Sequence, residues 1–192
     1  MSDKRMAIEI TISKIPYSLP SNWQEVTVGQ FRDIVRYSEK LNPVRLLSIF
    51  TGIEYELLSN MDCSGFDGIF LLMDFIGTSP NPEEWKRSKV IHIAGREIEP
   101  IKSIEKEKIG QKIIAQQVVN EAALNGLSKI EIVSKLVACY YCPKLNPTGI
   151  WIESEYEALQ LEVDKMSVVE AYAEASFFLS KWKTFAPKNP NI

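Results

Sequence analysis

The chain opens with strict alternation and then shifts to helical spacing. Ala7-Ile8-Glu9-Ile10-Thr11-Ile12-Ser13 alternates apolar and polar positions and is rich in β-branched residues, which predicts a half-buried strand. Pro16 and Pro20 bracket a stretch expected to be an extended connector. Thr27 then supplies an N-cap, and Gln30, three residues on, makes a capping box. Val26 is placed to staple onto Phe31 across the first turn. This helix is expected to run to about Lys40, with Phe31, Ile34, Val35 and Tyr37 on its buried side, until Asn42-Pro43 breaks it.

Val44 to Thr51 predicts a short apolar helix with Gly52 as its C-cap, and Glu54 to Ser59 another turn of helix. Ser64 with Asp67 caps a helix carrying Phe66, Ile69, Phe70, Leu72, Met73 and Phe75, apolar on most sides and so expected in the core. Gly77 to Pro82 is a loop. Lys89 to Ile93, a turn at Ala94-Gly95-Arg96, and Glu97 to Glu99 predict a β-hairpin. A helix from about Ile104 to Ala123 follows, with Ile109, Ile113, Ile114, Gln117 and Val118 on one face. Ser128 with Glu131 caps the next helix, through Ile132, Leu136, Val137 and Tyr140, which Pro143 is expected to end. Tyr156 to Val163 reads as an acidic helix. Ser167 with Glu170 caps the last one, carrying Val168, Ala171, Ala175, Phe178, Leu179 and Trp182.

These elements make an α+β chain, predominantly α-helical, with one or two small β-hairpins on a helical core. The order strand, proline-bearing connector, Gly-Gln at a helix start, helix pair occurs twice, at Gly29-Gln30 and at Gly110-Gln111. One compact domain over 1–192 is therefore expected, or two related halves at 7–80 and 88–184, with a polar tail over 185–192.

Composition narrows the function classes. A net charge of -3 gives no basic field for a nucleic-acid backbone. The longest apolar run, Ile69 to Met73, is far below the roughly 20 residues of a membrane span. The polar start, Met1 to Met6, carries no secretory signal pattern. Three cysteines in a chain this long do not make a disulfide framework, so a reducing cytoplasm is expected.

Candidate chemistry is sparse. Cys139-Tyr140-Tyr141-Cys142 is a C-x-x-C placed at a helix C-terminus, where the dipole opposes thiolate, so a redox role is disfavoured. Cys63, His92, Cys139 and Cys142 could form a Cys3His zinc set, but only one pair has ligand spacing. Buried small hydrophobes explain the cysteines better, and His92, alternating with Ile91 and Ile93, is expected to face solvent. Neither a G-x-S-x-G elbow nor a glycine-rich phosphate loop occurs. Glu153, Glu155, Glu157 and Glu162 lack a calcium-loop pattern and read as a solvated face. Aromatic residues are dense in the last third, and one of the Phe177-Phe178 pair is available for an assembly surface.

Trp23-x-Glu25-Val26-Thr27-x-x-Gln30-Phe31 resembles the W-x-[DE]-[VIL]-T-x-x-[QE]-[FY] opening of small tailed-phage proteins. Leu46 to Ile53 followed by Glu56-Leu57-Leu58 is similar to their next segment, a short helix, Thr-Gly and Glu-x-Leu. The order then continues through Phe66 to Pro80, Val90 to Glu99, Gly110-Gln111, Ala138 to Pro143 and Phe177-Phe178-Leu179. This resemblance, over residues 8 to 182, is to tail assembly chaperones and virion proteins of phages infecting Bacteroidetes-type hosts. It implies non-enzymatic protein binding during particle morphogenesis in the host cytoplasm. The partner would be a tail-tube or tape-measure protein, with no nucleic acid, membrane or cofactor involved. The alternatives are a permanent virion subunit (neck, connector or ring), which could be oligomeric, and a zinc protein using Cys63, His92, Cys139 and Cys142. The interaction residues expected are Trp23, Phe31, Phe177 and Phe178, with no catalytic or metal residue assigned.

Overall fold

A computed structural model describes residues 8–62, 74–77 and 80–185. Among them are seven α-helices and two small antiparallel hairpins, so the chain is a predominantly helical α+β protein. The first hairpin pairs β1 (Ile8–Ile12) with β2 (Ile15–Leu19). The expected connector at Pro16 is thus a strand. Ser13 and Lys14, at φ 51° and 69°, make the tight turn, although neither is the Asn or Gly that usually marks one. Pro16 is tolerated because a two-stranded ribbon has only edge strands, so its missing N–H breaks nothing.

The segment before α1 (Val28–Arg36) folds as the capping pattern requires. The Thr27 N–H donates to Gln30 Oε1 at 2.9 Å, and the Gln30 N–H donates to Thr27 Oγ1 at 3.2 Å. Val28, Phe31 and Ile34 are buried, whereas Val35 is exposed, because one turn of helix presents only one side to the core. The helix ends at Arg36 and is followed by a 3-10 turn over Ser38–Lys40. Asn42 caps α2 (Pro43–Thr51), accepting the Arg45 N–H at 2.9 Å, and Gly52 closes it in the left-handed region. A short α3 (Tyr55–Ser59) follows. The helix expected from Ser64 falls largely on residues 63–73, outside the described residues; Asp74–Gly77 is a 3-10 turn.

The second hairpin, β3 (Ile91–Ile93) and β4 (Arg96–Ile98), turns at Ala94 and Gly95, both at positive φ. It buries Ile91 and Ile93 and turns His92 outward, as the alternation requires. Then come α4 (Ile109–Asn125), α5 (Lys129–Leu145), α6 (Glu153–Asp164) and α7 (Val168–Phe185).

The centre of the fold is α5, which packs against α4, α6, α7 and α1 and buries 11 of its 17 residues. It does not stop at Pro143. A proline inside a helix leaves the carbonyl four residues back without its donor, here that of Cys139. Gln111 of α4 fills the gap: its Nε2 donates to the Cys139 carbonyl at 3.2 Å and to that of Tyr140 at 3.4 Å. Its Oε1 accepts the Lys108 N–H at 2.7 Å, so the buried amide is satisfied at both ends. The Cys139 thiol answers by donating to the Gln111 carbonyl at 3.2 Å.

Gln111 also explains why α4 begins at Ile109 rather than near Ile104, and why it turns the other way. Its buried face is Gln111, Ala115, Val118 and Ala122, while Ile109 and Ile113 point outward. Small residues let α4 approach α5 closely enough for the glutamine to reach across. The expected apolar face was therefore the wrong one for three of its five members, Ile109, Ile113 and Gln117.

At α7 the expected Ser167–Glu170 capping box is absent. Ser167 Oγ is buried without a hydrogen-bond partner, and Glu170 turns to His92. The starts of α1 and α7 pair with each other instead. The Val28 N–H donates to the Met166 carbonyl at 3.0 Å, and the Val168 N–H to that of Val26 at 2.8 Å. Two helix ends thereby satisfy each other's orphan N–H groups. Asp164, at the end of α6, closes the same region by pairing with Arg32 at 2.7 Å and accepting the Ser134 hydroxyl.

The Gln111–Pro143 arrangement predicts a coupled energy. Gln111→Leu should cost about 1–3 kcal/mol by leaving the buried Cys139 carbonyl without a donor. In Pro143→Ala, position 143 regains an N–H for the Cys139 carbonyl, and the same change should cost less by at least ~0.5 kcal/mol. Urea unfolding of the four proteins in this cycle measures the difference, and strictly additive costs would remove the proposed compensation.

Candidate protein-interaction site

The four aromatic residues expected at an interaction surface fall into two clusters. Trp23 meets Phe31 edge-on at 5.4 Å and Phe75 at 5.2 Å. Phe31 meets Trp85 at 6.0 Å, and Trp85 meets Tyr172 of α7 at 5.6 Å. In the second cluster Phe178 stacks on Tyr140 at 4.1 Å and lies edge-on to Tyr141, with Phe177 beside it. Phe31 and Phe178 are buried, at 7% and 0% exposure, and have no surface to offer a partner. Trp23 and Phe177 are half-buried. Trp23 anchors the arm before α1 to α1 itself, and Phe177 carries the Arg87 guanidinium 3.7 Å above its ring.

That guanidinium belongs to a buried ion pair that the sequence pattern missed. Glu174 of α7 is fully buried. Arg87, from the irregular segment before β3, grips it with both oxygens engaged: Nε to Oε1 at 2.7 Å and Nη2 to Oε2 at 2.6 Å. Tyr141 of α5 donates its hydroxyl to the same Oε2 at 2.8 Å and accepts the Ile101 N–H at 3.0 Å. Arg87 also donates to the Ile101 carbonyl at 2.8 Å. Burial works against the charge on Arg87, but the Glu174 carboxylate more than offsets it and raises the guanidinium pKa. Burial, with Glu174 adding to it, also raises the Tyr141 phenol, so it stays a donor. A signal was available: Glu174 lies between Ala171, Ala175 and Phe178 on an otherwise apolar helix face.

The titratable side chains considered for metal or redox chemistry are dispersed. Cys139 donates to Gln111 and Cys142 to the Ile152 carbonyl at 3.5 Å. Burial pushes the Cys139 thiol up to about 12 and raises Cys142 as well, away from the thiolate that zinc or redox chemistry uses. Cys63 lies outside the described residues. His92 sits at the surface between two carboxylates, Nδ1 3.2 Å from Glu170 and Nε2 3.3 Å from Glu97, while its N–H donates to Glu170. Among the described residues no three metal-ligating side chains converge. A cleft of about 290 Å³ lies between the β3–β4 turn and the α5–α6 junction, with Arg96, Cys142 and Glu155 in its walls. Its polar groups are already paired: Arg96 with the Leu145 carbonyl at 3.0 Å, and Glu155 with Asn146 at 2.7 Å.

The surface best suited to binding includes two isoleucines, Ile109 and Ile113, that sequence periodicity assigned to a buried face. On α4, Ile109 is 81% exposed, Ile113 53% and Leu124 85%, opposite the face packed on α5. Trp151 lies beside them over Gly110, where an added Cβ would come within 2.7 Å of its ring. That contact gives a physical reason for the glycine. Helical spacing could not reveal the orientation because α4 carries large aliphatic residues on both sides. No helix among the described residues is long and apolar enough to cross a membrane.

Two outcomes follow. Arg87→Met should cost about 3–5 kcal/mol by stranding a buried carboxylate, while Arg87→Met with Glu174→Leu should recover most of it; thermal and chemical denaturation measure both. The Glu170 carboxylate raises the His92 pKa above the ordinary value, with Glu97 assisting. A raised folded-state pKa contributes stability that is present below the unfolded value, about 6.5, and is lost as pH rises through the folded one. His92 is the single histidine of the chain, so its ring resonances titrate without overlap. Glu170→Gln should lower the measured pKa, and an unchanged value would mean the contact does not form in solution. No family model matches the chain, and neither a curated protein nor a solved structure does.

Proposed function

We propose that this chain is a non-enzymatic protein-binding factor of tailed-phage particle assembly, acting as a tail assembly chaperone. The observation that carries the binding role is the outward ridge of α4, where Ile109, Ile113 and Leu124 are left to solvent although the helix has a complete buried face opposite. Exposed aliphatics aligned on one helix face favour a partner's apolar surface over water. The link to phage assembly is supported by the resemblance carried by Trp23-x-Glu25-Val26-Thr27-x-x-Gln30-Phe31 and the segments after it. In this role the ridge holds a tail-tube or tape-measure subunit until polymerisation, by helix-in-groove contact.

Mass spectrometry of mature particles, with affinity capture from cells during assembly, tests it. A chaperone is captured with a tail subunit and is missing from finished particles. Stoichiometric peptides of this chain in those particles would replace the chaperone reading with a permanent virion subunit. An Ile113→Glu variant should lose capture while keeping its melting temperature.

A further inference from the structure

We infer that the α4 ridge docks an amphipathic helix whose rim, on the side facing Trp151 and α6, is basic. The inference rests on the binding role proposed for α4 and names the chemistry of its partner.

The ridge has the dimensions of a helix contact. At about 100° per residue, Ile109, Ile113 and Leu124 fall within one sector, with Gln116, Gln117 and Asn120 between Ile113 and Leu124. The sector lies opposite Gln111, Ala115, Val118 and Ala122, which face α5. From Ile109 to Leu124 the row extends roughly 22 Å at 1.5 Å per residue, about four helical turns. Gln116 Nε2 donates to Asn120 Oδ1 at 2.9 Å, so the polar middle of the row is partly satisfied within itself and is less costly to cover.

The charges on the two flanks differ in sign. Glu121 falls on the same flank of α4 as Gly110, over which Trp151 packs, while Lys112 falls on the other. Trp151 is 6.0 Å from the Tyr156 ring of α6, which ties this flank of α4 to the start of α6. Glu153 and Glu157 lie on the same helix as Tyr156, three residues before it and one after, and their charges, with that of Glu121, add to the burial and the neighbouring Cys139 that raise the Tyr156 phenol pKa. All three are exposed. Among the described residues Glu153 and Glu157 make no ion pair, and Glu121 meets only Lys135, at 3.8 Å. An exposed row carrying Ile109, Ile113 and Leu124, with Glu121, Glu153 and Glu157 on one flank, complements an apolar helix whose rim on that side bears lysine or arginine.

Two synthetic helices of equal length test this, sharing one leucine seam and carrying either lysine or glutamate along one rim. Isothermal titration calorimetry of the full chain should show the lysine peptide binding at least ~10-fold more tightly, with the difference shrinking as salt screens it. Ile113→Glu should abolish binding and leave the circular-dichroism melt unchanged. Glu121→Lys with Glu157→Lys should reverse the peptide preference. Equal binding of the two peptides, no binding at all, or binding indifferent to Ile113→Glu would overturn the inference. So would sedimentation showing a dimer that Ile113→Glu dissolves, since a second copy would then be the occupant. Failure with these peptides alongside successful capture of a tail subunit would sink the basic-helix chemistry and leave the assembly role standing.

Discussion

A carboxylate buried to 0% exposure dictates much of this architecture. Glu174 can stay charged in the interior only if its oxygens are matched by donors of fixed geometry, because an unpaired buried charge costs several kcal/mol. The donors come from two places far apart in sequence, Arg87 in an irregular segment and Tyr141 on the central helix, and the backbone of Ile101 holds both of them. The segments leading into and out of the second hairpin are thereby tied to α5 and α7. Arg87 is further held against Phe177, so the charged cluster and the Phe177–Phe178–Tyr140 aromatic cluster form one unit.

A second compensation lies at the other side of α5. Pro143 would ordinarily end that helix, and the residues around it would be loop. The amide of Gln111 replaces the lost backbone donor, the helix continues to Leu145, and the Cys139 and Cys142 thiols stay inside it. Their environment then settles their chemistry. Thiols donating to carbonyls among apolar neighbours remain protonated, and they pack as small hydrophobes. The same glutamine orients α4, because reaching across to α5 requires small neighbours at the contact and leaves the isoleucines on the far side.

That orientation links fold to function. A helix with aliphatic residues on two sides can bury only one against its own chain, which leaves Ile109, Ile113 and Leu124 of α4 to solvent. Trp151 on Gly110 joins this surface to α6, whose first turns place acidic residues beside it. The aromatics at Phe31 and Phe178, by contrast, are committed to the core, and Trp23 serves chiefly to hold the entry arm against α1.

Local chemistry alone determined a good deal. The capping box at Thr27 and Gln30, the Gly52 helix end, the Ala94–Gly95 turn and the outward His92 all depend on neighbours within a few residues, and local pattern found them. Helix existence was legible wherever apolar spacing ran on for several turns. What the sequence did not disclose were the features in which a distant group supplies the missing partner. Pro143 reads as a stop unless Gln111 is known to lie beside it. Glu170 reads as a cap until His92 is placed within 3.2 Å of it. Glu174 reads as a flaw in an apolar face without Arg87. Ile109 and Ile113 of α4 read as core because periodicity reports that residues share a face and not whether that face is covered. Spacing along the chain sets which elements form, whereas burial and hydrogen-bond satisfaction are properties of pairs, and only the tertiary structure decides those.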